Sequence, residues 1–309
     1  MKTRSVKGVD ISVLSLGTVQ LGLNYGINNA TGKPSREVAF NLLDTAMAGG
    51  ITALDTAAGY GDSEEVIGQW LGARKEQAPF VMTKVSSLDH SSLEATRADL
   101  RQKVEQAKER LGLSQIPLLM LHQCEDYLCD KENVARVFNE LKESGDIRFS
   151  GISAYAHHDY GAIADSGFDA TQIPANVFDW RQVESGGIRR LEESGMMVFI
   201  RSVYLQGLVF QNPEKLDPRM EFARTTLENF YGICNEFGLT PAVLALSYAL
   251  SLPGATSLVL GSETAQQVSQ NIALLEETVS LTKEQMALLQ KTFRDTEERI
   301  LNPGKWFNA

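Results

Sequence analysis

Residues 53–64 read Ala53-Leu54-Asp55-Thr56-Ala57-Ala58-Gly59-Tyr60-Gly61-Asp62-Ser63-Glu64. A short apolar run ends in a carboxylate, and a tyrosine follows between two glycines. A capping residue with carboxylates then opens a helical period. This strand–loop–helix unit recurs along the chain. Apolar runs rich in β-formers or ending in polar residues lie at 13–18, 53–57, 80–85, 117–123, 147–154, 170–176, 196–204 and 257–261. Helical periods fall between them at 35–48, 63–71, 93–111, 133–143, 157–164, 188–193 and 241–250, several closed by glycine. Eight such units without a break in composition predict one (β/α)8 barrel domain over residues 1–309. Residues 3–11 are expected to form a β-hairpin closing the barrel bottom. Residues 205–219 read as a long loop, and the chain after Thr282 as a helix and tail.

Composition narrows the function. Lys and Arg number 29 against 39 Asp and Glu, a net charge of −10. That balance argues against nucleic acid or an anionic membrane as the partner, since both require clustered cations. A small molecule remains the expected partner. Three cysteines are too few and too irregularly spaced for a disulfide framework or a zinc site. His157-His158 lack further ligands in the sequence, so no metal is expected. The polar N-terminus carries no secretory signal, and the charge-free stretch 237–262 is interrupted by Pro241, Pro253 and Gly254. A cytoplasmic protein is the expectation.

Chemistry in such a barrel sits at the C-terminal ends of the strands. Strand alternation lets Ala53/Asp55, Met82/Lys84 and Met120/His122 point inward. Three adjacent strands then deliver an acid, an ammonium and an imidazole to one spot, with Tyr60 above them. The plainer reading of each residue alone is a buried Asp–Lys pair and a core histidine. Burying a charge costs several kcal/mol unless it is paired, and a functional role accounts for the whole set. An ammonium beside a phenol favours the phenolate, so the phenol can protonate a developing alkoxide near neutral pH.

At these residues the sequence resembles the aldo-keto reductase family. The match runs through Leu16-Gly17-Thr18, residues 55–64, Thr83-Lys84, Leu121-His122, Gly151-Ile152-Ser153, residues 172–176 and the segment from Gly261 to Asn271. The resemblance implies a catalytic tetrad of Asp55, Tyr60, Lys84 and His122 that reduces carbonyls with NADPH. A longer match through residues 17–26 and 201–207 is similar to a bacterial branch linked to sugar metabolism. An aldehyde, a ketone or a sugar-derived carbonyl is therefore the implied substrate, the reverse oxidation being open as well.

The resemblance also places an extended nicotinamide dinucleotide across the barrel mouth. Gly17, Thr18 and Asp55 would line it. Ser153 and Gln172 match positions that hold the carboxamide, although Ala154 replaces the asparagine often found there. Ser202 falls where a tyrosine frequently stacks on the nicotinamide. Backbone near Leu205, Gln206 and Gly207, and the turn of Gly261 and Ser262 before Gln267 and Asn271, would hold phosphate. No Gly-x-Gly-x-x-Gly fingerprint is present, and Gly26…Gly32-Lys33-Pro34 fails as a phosphate loop. NADP(H) is the family norm. The segment after Gly261 contains Glu263 and no Lys or Arg, so NAD(H) or dual use is also expected. Gln20, Asn24, Tyr25, Asn176, Trp180, Tyr204 and Trp306 are candidates for the substrate wall or for packing. The alternatives are a regulatory protein that binds a dinucleotide on the same barrel, and a barrel lyase or isomerase.

Overall fold

The computed structural model describes residues 1–26, 32–74 and 78–307. The interior of the rejected phosphate-loop segment, 27–31, lies outside the described residues. Strands β1 (Thr3–Val6) and β2 (Val9–Ser12) pair antiparallel, Val6 opposite Val9. Lys7 and Gly8 turn the hairpin with φ of 50° and 75°, the left-handed pair that suits a two-residue hairpin loop. Eight parallel strands follow: β3 (Leu14–Gly17), β4 (Ala53–Asp55), β5 (Phe80–Val85), β6 (Ile116–Leu121), β7 (Ile147–Ser153), β8 (Ala170–Pro174), β9 (Met197–Arg201) and β10 (Ala255–Gly261). They close in sequence order, with β10 pairing back onto β3. The expected (β/α)8 barrel with its N-terminal hairpin is what the chain forms.

Strand alternation builds two cores. Ala53, Phe80, Met82, Leu118, Met120, Met197, Phe199 and Val259 fill the barrel interior. Ile11 of the hairpin is wholly buried beneath them and plugs the bottom. The opposite strand faces join the helices in the larger outer core. The inward charged side chains Asp55, Lys84 and Arg201 all lie at or next to the C-terminal ends of their strands, which mark the mouth.

Several boundaries differ from the pattern read in the sequence. The seventh barrel strand stops at Arg201, because Ser202 takes a φ of 61° and leaves the sheet. The helix expected from His157 starts at Tyr160, where Asp159 caps the amides of Gly161 and Ala162. A helix at Arg224–Phe237 occupies a stretch where none was expected. It buries Leu227, Phe230, Ile233 and Cys234 and ends at left-handed Gly238. Asp62 does not cap the helix after it; its carboxylate pairs with Lys33 and Arg36 instead. The stretch 237–262 divides into the buried helix Pro241–Ser251 and β10. Among the described residues no single helix is long and apolar enough to cross a membrane. The tail contains the helix Lys283–Phe293, closed at its start by a Thr282–Gln285 capping box.

Candidate active site

Register places the polar residues side by side. Asp55 on β4 lies opposite Met82, and Lys84 on β5 lies opposite Met120 two residues before His122. The Lys84 Nζ donates to Asp55 Oδ1 at 2.6 Å and to the Thr56 carbonyl at 2.9 Å. Its side chain is entirely buried. Burial alone would lower the lysine, but the Asp55 charge and Tyr60 outweigh it and hold Lys84 above its ordinary range. Gln172 Nε2 donates to the same Asp55 oxygen at 2.8 Å, so one of its amide hydrogens serves that carboxylate.

Tyr60 and His122 stand over this pair. The Tyr60 ring centroid is 5.0 Å from Lys84 Nζ and 5.6 Å from the imidazole, with the two rings at 84°. Burial, helped by the Lys84 and Arg201 charges, lowers His122 to about 4 against the opposing pull of Asp55. The imidazole is therefore neutral across the physiological range.

The loop that carries Tyr60 is held from below. Its amide bonds the Ala57 carbonyl, and its own carbonyl accepts from Ser63 N. Gly22 permits that path, since a Cβ there would lie 1.7 Å from the Tyr60 carbonyl oxygen. Ser63 Oγ donates to Thr18, and Thr56 Oγ1 donates to Ser63. Thr18 Oγ1 donates to the Asp55 carbonyl at 2.8 Å. Glu64, also buried, accepts from Thr83 and from Arg110 Nε at 2.6 Å, which compensates its charge.

A cavity of about 590 Å³ opens above these groups. It runs from Asp55, Tyr60 and His122 past Ser153, Gln172 and Ser202 to Gln267 and Asn271 on the helix Ala265–Glu277. Gly17, Thr18, Gln20, Tyr25, Tyr204, Gln206, Gly207 and Gly261 also line it. Tyr25 Oη accepts from Gln206 Nε2 at 2.8 Å, joining opposite loops across the mouth. Gln20 Oε1 is buried without a partner among the described residues, and a Cβ on Gly261 would lie 2.5 Å from Gln20 Nε2. Tyr204 Oη donates to Asn271 Oδ1, whose amide donates to Ser262 Oγ. Ser262 thus sits behind the wall rather than in it.

Other expected wall residues are absent from it. Asn176 lies beyond the end of β8, buried, and its Oδ1 accepts the Phe178 amide, so it shapes the chain turn instead. Trp306 is buried in the outer core with Nε1 donating to the Ile300 carbonyl. Trp180 likewise donates to the Val177 carbonyl. Leu205 is buried, and the amides of Leu205 and Gly207 bond the carbonyls of Ser202 and Tyr204, so neither is free for phosphate.

Arg201 and Tyr155 line the cavity and were not singled out from the sequence. The signal for Arg201 was available: it follows Met197 and Phe199 at the inward period of β9. His157, His158 and Glu125 lie together at the rim. His158 Nδ1 accepts the Tyr155 amide, which leaves its proton on Nε2, donated to Glu125 at 3.0 Å. The pair thereby braces Tyr155, whose ring also stacks on His157.

Comparison with known proteins follows the same lines. The sequence model of the Aldo/keto reductase family matches residues 13–293. Aldo-keto reductase YhdN of Bacillus subtilis (strain 168) is 23% identical over 285 residues, 84% of this chain and 84% of its own length. The NADH-specific methylglyoxal reductase of Escherichia coli (strain K12) is 25% identical over 299 residues, 86% of this chain and 90% of its own. The holo form of aldo-keto reductase AKR11C1 from Bacillus halodurans shares the fold, with TM-score 0.76 at 23% identity, covering 98% of this chain and 100% of that one.

Proposed function

The chain belongs to the aldo/keto reductase family and is an NAD(P)-dependent oxidoreductase, and we propose that it reduces an aldehyde or ketone to the alcohol with a proton from Tyr60. One observation carries this reading. A buried Lys84–Asp55 pair at 2.6 Å lies beneath the Tyr60 ring, with a neutral imidazole edge-on to that ring in the wall of a large cavity.

The donor set fits a nicotinamide dinucleotide. The cavity volume is in the range of small-molecule sites. Its wall mixes amides and hydroxyls from Gln20, Ser153, Gln172, Gln267 and Asn271, and Gln20 Oε1 has no donor among the described residues. When bound, the reduced nicotinamide supplies hydride to the carbonyl carbon. The chain does the rest. Tyr60 Oη gives its proton to the carbonyl oxygen, and the Lys84 ammonium stabilises the phenolate left behind. Asp55 keeps that ammonium charged within the barrel. His122, neutral, offers its single N–H to the same oxygen and orients the substrate. Tyr60→Phe is expected to lower turnover by at least about a hundredfold, as loss of a general acid does, while dinucleotide binding followed by fluorescence persists. Near-wild-type rates with several aldehydes in this variant would refute the assignment.

For the cofactor we propose that NAD(H) is accepted, alongside or ahead of the NADP(H) usual in the family. Glu263 lines the cavity two residues beyond the end of β10, and Arg201, near His122, is the single basic side chain of its wall among the described residues. A 2′-phosphate would meet a carboxylate there, whereas a free ribose hydroxyl can donate to it. A thousandfold preference for NADPH in kcat/KM would overturn this.

A further inference from the structure

The inner face of β9 runs Met197, Phe199, Arg201, so its last inward position is a guanidinium. That side chain enters the same cavity as Tyr60 and His122. Among the described residues its polar contacts are two long hydrogen bonds, 3.3 Å to the Ala154 carbonyl and 3.4 Å to Ser202 Oγ. The guanidinium rests 4.6 Å above the Tyr155 ring. It offers five N–H donors in a planar fork, and the two contacts leave most of them unused.

The charge around it is also unbalanced. No carboxylate of the described residues forms an ion pair with Arg201; the other cavity-lining acids are Asp55, already bound to Lys84, and Glu263, two residues beyond the end of β10. His122 is neutral, and the Arg201 charge contributes to keeping it so, which puts the guanidinium within electrostatic reach of the reacting oxygen. The platform under Arg201 is built. Tyr155 is fixed through His158 and Glu125, and Gln182 Nε2 donates to the Ala156 and His158 carbonyls on the same turn. A preorganised cation without a counter-charge, beside the reaction centre, is suited to a carboxylate gripped by two parallel N–H bonds.

We propose that Arg201 determines substrate specificity by taking a carboxylate carried by the carbonyl compound, so that aldehyde acids or keto acids are preferred over neutral carbonyls. The proposal rests on the reductase reading of the same site. With saturating NADH or NADPH, 4-carboxybenzaldehyde and benzaldehyde are compared in the wild type, Arg201→Gln and Arg201→Lys. The wild type should favour the carboxylate by at least tenfold in kcat/KM, mainly through KM. Arg201→Gln should abolish that ratio, and Arg201→Lys should restore part of it, since an ammonium keeps the charge and loses the fork. Dinucleotide affinity, read by fluorescence titration without any aldehyde, should change less than threefold in both variants.

A ratio near one in the wild type would overturn the proposal, as would equal losses on both aldehydes in Arg201→Gln. So would weakened dinucleotide binding, which would assign the guanidinium to the cofactor. Glyceraldehyde 3-phosphate favoured over glyceraldehyde, without any carboxylate preference, would replace the carboxylate with a phosphate. Failure of every aldehyde to turn over in the wild type would instead strike the reductase reading.

Discussion

Replacing Lys84 by Met tests whether the buried pair serves chemistry or only neutrality. At 2.6 Å the two charges attract by about 6 kcal/mol with an effective dielectric of about 20. Much of that offsets the desolvation of both ions, so the pair as a whole is a modest net stabiliser. Removing one partner is different. Lys84→Met strands Asp55 in a site where Gln172 Nε2 is its remaining side-chain donor among the described contacts. The expected loss is about 3–5 kcal/mol, or roughly 5–8 °C in midpoint for a chain of this size. The double variant Asp55→Asn, Lys84→Met buries no charge and should recover more than half of that loss, a coupling of about 2 kcal/mol or more. Turnover should not recover. Both variants lack the ammonium that, on the proposed mechanism, stabilises the Tyr60 phenolate, and both should lose about a hundredfold or more in kcat. Urea unfolding at pH 7.5 and aldehyde reduction on the four proteins of the cycle read the two quantities separately. If Lys84→Met is as stable as the wild type, Asp55 does not depend on it. If activity returns with stability in the double variant, the pair is scaffolding and the mechanism is wrong.

Two further outcomes follow from the geometry. His122 is held near 4 in the fold against 6.5 for a free imidazole; the unfolded chain therefore binds its proton first as pH falls. The neutral ring's contribution is complete above pH 6.5 and is lost between 6.5 and 4, to the order of 2–3 kcal/mol. Urea midpoints should fall more steeply over this window in the wild type than in His122→Asn, and an equal slope would remove the claim. Gly22→Ala places a methyl group against the Tyr60 carbonyl, so the Tyr60 loop must shift. Stability should drop by about 1–3 kcal/mol and kcat by at least about tenfold. Calorimetry and steady-state kinetics check this, and unchanged kcat would show that the loop tolerates the displacement.

The parts of this molecule legible in its sequence are those governed by short-range period. Ala53, Met82 and Met120 occupy the barrel interior, so Asp55, Lys84 and His122, two residues further on, arrive at one place by alternation alone. The hairpin and most helices are equally local, because glycine and capping residues mark their ends. Asn176 and Trp306 were not readable in this way. Asn176 stands past the last paired residue of β8, where no pleat dictates direction, and a backbone amide two residues on captured its side chain. Trp306 is placed by a tail that packs on the outer core, a contact with no sequence period. Arg201 is the instructive case. The resemblance pointed to Ser202, but the left-handed turn at Ser202 ends the strand short of the expected 204 and makes Arg201 the last residue whose direction alternation sets. The strand's true end makes Arg201 its last inward side chain, and that side chain lines the cavity. In this barrel that residue is a cation, although the protein as a whole carries ten negative charges in excess. An anionic ligand thus approaches against the global charge and is drawn in by a single local one, so raising ionic strength should weaken both terms and leave carboxylate selectivity dependent on the Arg201 fork rather than on long-range steering.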